Sequence, residues 1–341
     1  MRIGVDLMGG ETPPIVLFEA ALAAVHQLDA SASLLVLASP AVIDRIWAET
    51  PHLADMLAQA PARIEFLSAA DVIEPGDEPI WAVRHKKQSS LVTGIRLLKK
   101  RLLDAFVSTG NTGALLASAT ISLPLLPTIK RPALLASLPT RQGFVVVIDV
   151  GGNVSCKAHH LVQFAQMGAA YQRCFKQILK PTVGLLNIGV ESKKGTSEVR
   201  QAYQSLQATT EELPADTQTM SFIGNIEARD IFQGKVDVIV TDGFTGNVLL
   251  KASEGVSSFI FELLREEIKQ RLPGDPGDLF QGLCSHFNYD EYPGAILCGL
   301  NRLVIKCHGR SSSKGLLNSI KGAAHLISNG FIAQMRNQFT L

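Results

Sequence analysis

Residues 236–255 read VDVIVTDGFTGNVLLKASEG, and the stretch changes character halfway along. Residues 236–240 form an apolar run without alternation, the mark of a strand covered on both faces. Thr241-Asp242-Gly243-Phe244-Thr245-Gly246-Asn247 then supplies the glycines and short polar residues that hand a strand to a helix. A helical pattern follows over 248–270, with Val248, Ala252, Val256, Phe259, Ile260 and Leu263 along one side. Helix starts present unpaired N–H groups, so the turn holds a phosphate, a dinucleotide or only its own backbone.

The same strand-then-helix unit recurs through most of the chain. Apolar runs at 2–8, 33–39, 63–69, 104–110, 133–139, 144–150, 182–189 and 220–225 precede 236–243, and helix-like stretches at 14–28, 41–50 and 79–101 separate the early ones. This order predicts an α/β fold with a doubly wound, mainly parallel sheet in three layers. Only TRQG (140–143) separates two neighbouring strands, so that pair is expected to form an antiparallel hairpin. From 244 to 300 the chain reads as a helical segment inserted before a last strand at 303–309. Leu316, Ile320, Ala324, Ile327, Phe331 and Met335 then recur at helical spacing as a closing packed helix, and LPGDPGD (272–278) is the clearest loop. Residues 1–341 are expected to form a single catalytic unit, with two lobes around a cleft as its compatible variant.

Apolar residues make up 46% of the 341, ample for a large core. A net charge of +1 gives no electrostatic footprint for nucleic acid. Cys156, Cys174, Cys284, Cys298 and Cys307 form no CxxC pair, which suits free thiols in a reducing cytoplasm. Asp6 interrupts the first apolar run too early for a secretion signal, and no run is long enough to span a membrane. The mean hydropathy of +0.19 leaves room for peripheral membrane contact or a large subunit interface.

Chemistry is expected at the carboxyl ends of the strands. Those ends carry Asp6-Leu7-Met8-Gly9-Gly10, Ser108-Thr109-Gly110-Asn111-Thr112-Gly113, Asp149-Val150-Gly151-Gly152-Asn153, Gly224-Asn225-Ile226-Glu227, the 242–247 turn and His308-Gly309-Arg310-Ser311. One such turn is ordinary structure; several on one sheet edge point to a shared anionic ligand. AVRHKKQSS (82–90) offers positive charge, with Arg84 and Lys87 three apart on a helix face, although a solvated basic face explains it equally. LKKR (98–101) suits a helix end and its dipole. Dinucleotide and P-loop fingerprints, GxSxG and HExxH are all missing from the sequence. His159-His160 read as helix surface or packing, and Cys156 as a small buried thiol.

In order, DLMGGETPP (6–14), RHKKQSS (84–90), VSTGNTGALLA (107–117), RPAL (131–134), DVGGN (149–153), LLNIGVESKKG (185–195), FIGNIEARDI (222–231), DGFTGNVLLKASEG (242–255) and IKCHGRSS (305–312) resemble the bacterial phosphate acyltransferases of phospholipid synthesis, the PlsX type. The resemblance implies a homodimer with the phosphotransacetylase and isopropylmalate dehydrogenase fold, and no cofactor or metal. It implies transfer of a fatty acyl group from acyl-[acyl-carrier-protein] (acyl-ACP) to inorganic phosphate. The acyl phosphate would pass to a membrane glycerol-3-phosphate acyltransferase, giving lysophosphatidate. Phosphate binding is then expected at Arg84, Lys87, Ser108, Thr109, Asn111, Thr112 and Thr245. Asn153, Asn225 and Asn247 are candidate donors to phosphate or to the oxyanion. Lys194, Lys251 or His308 would bind phosphate or protonate the leaving thiolate, while Asp149 and Asp242 would brace their loops.

Glu11, Gly152, Ala228 and PGAILCG (293–299) depart from the family's usual residues, the last reading as a reshaped loop. Three rivals stay open: a phosphotransacetylase using acyl-CoA, a decarboxylating NAD-dependent dehydrogenase, and a non-catalytic regulator that binds phosphate or an acyl ligand.

Overall fold

Short, continuous apolar runs become strands because both of their faces are covered, and Ile3, Val5, Leu34, Val36, Phe106 and Val107 are accordingly buried to completion. The computed structural model describes residues 1–50, 63–212, 214, 217–271, 289–307 and 311–339. These divide into two compact units, one of 1–132, 174–176 and 292–341, the other of 133–173 and 177–291.

The first unit begins β1 (Arg2–Asp6), α1 (Pro14–Gln27), β2 (Ser33–Ala38), α2 (Pro40–Glu49) and β3 (Ile64–Ser68). It continues with α3 (Pro79–His85), α4 (Ser90–Lys99), β4 (Ala105–Ser108) and α5 (Thr112–Ser122). Its strands run β3-β2-β1-β4, all parallel, and β4 pairs on its other side with a late parallel strand described below. Each helix start has a local cause: proline opens α1, α2 and α3, and Ser39, Glu78, Ser89 and Asn111 accept first-turn N–H groups of α2 to α5.

The second unit holds β5 (Ala133–Thr140), β6 (Gly143–Ile148), α6 (Ala158–Phe175), β7 (Thr182–Leu186), α7 (Ser197–Glu212), β8 (Ser221–Ile226), β9 (Val238–Val240) and α8 (Gly243–Arg271). Its strand order is β5-β6-β9-β7-β8. Only β5–β6 is antiparallel, with Thr140 opposite Gly143, the hairpin expected from TRQG. The first unit then closes with β10 (Ala295–Cys298), β11 (Leu303–Lys306), α9 (Ser313–Ser328) and α10 (Phe331–Gln338). β11 is the parallel partner of β4, and β10 is antiparallel to β11.

Four expectations need correction. The stretch 79–101 is two helices, because Lys86 leaves the helical region (φ −91°, ψ 60°) and Ser89 caps a new start. The segment 244–300 is not helical throughout, and PGAILCG is no loop: it contains β10, with Ile296, Leu297 and Cys298 buried. LPGDPGD lies outside the described residues. Finally, DGFTGN is not a turn before a helix but the helix's own first turns, since α8 begins at Gly243.

Candidate functional site

In the first unit, three neighbouring parallel strands end in register on Asp6, Ser108 and Lys306. Asp6 is fully buried and accepts from Ser108 Oγ at 2.7 Å and from Met8 N at 3.0 Å. Burial pushes its carboxyl above the ordinary range, against the opposing pull of Ser90, Ser108, Met8 and the Lys306 ammonium. Lys306 is itself buried and donates to the carbonyls of Thr109 (3.1 Å) and Cys307. Neither Asp6 nor Lys306 was singled out as a site residue by sequence. The available signal was a lysine inside the apolar run LVIKC, which can be buried only with partners.

Several expected phosphate ligands are committed to the protein itself. Ser108 has no exposure and accepts from Gly110 N at 3.1 Å while donating to Asp6. Thr109 donates to Asp6 O at 3.2 Å. Asn111 accepts from Ala114 N and donates to the carbonyl of Pro75 at 3.0 Å, so both ends of its amide fix the turn. Lys86 reaches Asp77 and Val72 O, and that ion pair holds the Asp77 carboxyl below its ordinary range. Arg84 and Lys87 do not share one helix face, because Lys87 lies beyond the end of α3. Both are exposed and no hydrogen bond or ion pair engages them among the described residues. Thr112 is likewise exposed at the start of α5. His308 lies outside the described residues.

In the second unit, Asp149 follows the end of β6 and is buried. Its Oδ1 accepts from Leu134 N (2.9 Å), Gly151 N (3.2 Å) and Gly152 N (2.8 Å), and its Oδ2 from Asn153 Nδ2 (2.8 Å). Burial raises its pKa, and these donors oppose the rise. Asn153 thus serves the loop, and its carbonyl accepts from Gly243 N at 2.7 Å. The first turn of α8 sits on this loop through main-chain atoms. A Cβ added at Gly243 would lie 2.6 Å from Asn153 O, and one at Gly246 would overlap the carbonyl of Asp149.

Asp242 accepts from Thr245 N at 2.8 Å and Thr245 Oγ1 at 3.0 Å, so it caps α8 and occupies the threonine hydroxyl. Asn247 is exposed, engages no side-chain partner among the described residues, and lies against Gly151, whose added Cβ would meet its side chain at 3.7–3.8 Å. Asn225 is buried; its Nδ2 donates to Glu191 O at 2.9 Å and its Oδ1 has no partner. Among the described residues the exposed Lys194 side chain enters no hydrogen bond or ion pair, whereas Lys251 pairs with Glu254 at 2.7 Å.

Beside this loop a cavity of about 540 Å³ is lined by Leu161, Leu185, Val199, Thr245, Val248 and Leu249, among others. His160 Nδ1 accepts from Lys157 N at 3.1 Å, a packing role as expected. Cys156 is half-buried, with Sγ 3.9 Å from Asn153 O. On α8, Val256, Phe259, Ile260 and Leu263 are each about half exposed, at 46–59%, so this apolar stripe is not core of this chain. Among the described residues no helix is long and apolar enough to cross a membrane.

The fold is shared with phosphotransacetylases and with 4-hydroxythreonine-4-phosphate dehydrogenases. A phosphotransacetylase from Streptococcus pyogenes aligns at TM-score 0.58 and 17% identity, covering 96% of this chain and 94% of that one. A putative 4-hydroxythreonine-4-phosphate dehydrogenase from Salmonella typhimurium aligns at TM-score 0.53 and 14% identity, covering 95% and 99%. At such identities the likeness concerns fold alone. Sequence carries it further: phosphate acyltransferases of Chlamydia caviae (39% identity over 96% of this chain and 95% of that one) and Brevibacillus brevis (41% over 100% and 99%) match end to end. Residues 1–334 match the family described as "Fatty acid synthesis protein", and the chain belongs to that family, the phosphate acyltransferases of fatty acid and phospholipid synthesis.

Proposed function

We propose that this enzyme transfers a fatty acyl group from acyl-ACP to inorganic phosphate. A phosphate oxygen attacks the thioester carbonyl carbon, the C–S bond breaks, and the carrier's thiolate leaves and takes a proton. The observation that carries this reading is end-to-end identity of 39% with a phosphate acyltransferase. The geometry supports direct attack. Ser108, the serine paired with a carboxylate, has no exposure to offer an incoming acyl group, and phosphate dianion needs no activation.

Arg84 and Lys87 are assigned to phosphate, because they are cationic, exposed and spared from internal bonds. Asn247 is assigned to the carbonyl oxygen as charge develops on it, and Asn225 is reassigned to holding the Glu191 loop. Lys194 keeps its role as a candidate proton donor to the thiolate. The apolar cavity fits the acyl chain. The product acyl phosphate would serve a membrane glycerol-3-phosphate acyltransferase making lysophosphatidate.

Incubation with long-chain acyl-ACP and phosphate should yield acyl phosphate, trapped as hydroxamate, together with free carrier thiol. Product from acyl-CoA alone would favour a phosphotransacetylase, and no product from either donor would end the proposal. Asn247→Ala should lower kcat at least about tenfold without a change in melting temperature. The exposed α8 stripe is proposed as the homodimer face. Phe259→Glu with Leu263→Glu should give monomer in analytical ultracentrifugation; an unchanged dimer would move the face elsewhere, and lost vesicle binding would give the stripe to a membrane.

A further inference from the structure

The turns discussed above lie at the carboxyl ends of the parallel strands, and the opposite edge of the first unit's sheet carries a separate feature. A cavity of about 360 Å³ opens beside the residues that lead into β4 and β11, lined by Arg101, Asp104, Asn301, Arg302 and Arg336, among others. We propose that this cavity is a second anion site, which takes the phosphoryl group of a small phosphate ester.

Arg101 and Arg302 share this cavity with one carboxylate, and Arg336 lines it as well. The carboxylate, Asp104, has its Oδ2 engaged by the Arg2 N–H at 2.7 Å. Neither Arg101 nor Arg302 belongs to an ion pair among the described residues. Arg302 is anchored through Nε to Leu98 O (3.2 Å) and through Nη1 to Asn301 O (2.8 Å), which uses only part of its donor fork. Burial lowers its pKa first, and repulsion from Arg101 and Arg336 lowers it further, with Asp104 opposing. Bonding to a helix-end carbonyl accounts for Arg302 alone. It gives no reason to hold the Arg101 guanidinium close enough to repel it, on a residue at φ 61°. Like charges held together in this way are relieved by an anion.

One further element adds to a phosphoryl site. Gly330 starts α10 without a side-chain cap, and residues 331–333 of its first turn line the cavity. Leu326 and Ile332 add apolar wall for an organic moiety.

Calorimetric titration of the full chain with ADP, inorganic diphosphate and inorganic phosphate tests the site. Saturable binding should weaken at least about tenfold in Arg101→Gln with Arg336→Gln, return in part in Arg101→Lys with Arg336→Lys, and persist in Arg84→Gln with Lys87→Gln. The last variant separates this site from the proposed catalytic phosphate. ADP binding more tightly than phosphate supports an ester, while equal affinity supports inorganic phosphate as the ligand. No saturable binding to the unmodified chain, or equal binding by the glutamine variant, overturns the proposal. Arg101→Gln alone, at an exposed residue, serves if the double variant does not fold.

Discussion

DLMGG (6–10) and DVGGN (149–153) use nearly the same letters at the ends of parallel strands, yet their buried aspartates are held by different means. Asp6 faces serine hydroxyls and has a buried ammonium, Lys306, in its field. Asp149 has main-chain N–H groups and one amide around it, and among the described residues no cation is one of the groups that hold it. One carboxylate is held chiefly by serine hydroxyls, with the buried ammonium adding a smaller share, and the other by an amide and backbone N–H groups. The difference matters because backbone donors stay in place when a side chain is replaced, whereas hydroxyls and an ammonium depend on the residues that carry them.

The largest effect should come from the backbone itself. Gly246→Ala places a methyl on the Asp149 carbonyl, which neither chain segment can move away from, and should cost about 4 kcal/mol or more in urea unfolding. Near-native stability would mean that the α8 start is loosely seated and the backbone around Asp149 adjustable. Next, Asp6→Asn removes the acceptor of the Ser108 hydroxyl and the carboxylate in whose field the buried Lys306 lies, and should cost about 3 kcal/mol. Adding Lys306→Met should restore much of that loss, and simple additivity of the two would show that they are uncoupled.

Asp149→Asn should cost about 1 kcal/mol or less, since one oxygen still accepts the three backbone N–H groups. A cost equal to that of Asp6→Asn would erase the distinction. The smallest effect is one of pH. A carboxyl raised above 3.8 binds its proton more tightly when folded, so stability falls as pH rises from there through the folded value. Unfolding across that window should show the unmodified chain losing ground to Asp149→Asn as pH rises; parallel curves would mean that burial does not shift this group.

Much of the fold was legible because strand runs here are continuous and apolar, and the TRQG hairpin was fixed by its short connection. β10 was missed since four small or apolar residues between glycines read equally as loop. The true start of α8 was hidden because Gly243 and Gly246 oppose helix propensity; they stand there for close backbone approach, which only tertiary structure reveals. At the site, residue types pointed to the right turns. Sequence does not disclose which polar groups are already spent, as Asn111 and Asn153 are on their own loops, or which stay open, as Asn247 does. Lys306 was overlooked because its importance comes from two neighbouring strands that lie far from it in the chain.

The seating of α8 has one more consequence. Its root is positioned by carbonyl and amide groups of 149–153, atoms that every residue type shares. The exposed side chains of Val256, Phe259, Ile260 and Leu263 take no part in that docking. The far end of this helix can therefore drift in sequence, exchanging one partner surface for another, while the chemistry at its root stays untouched. Selection can act on assembly and on turnover as two nearly independent traits of a single helix.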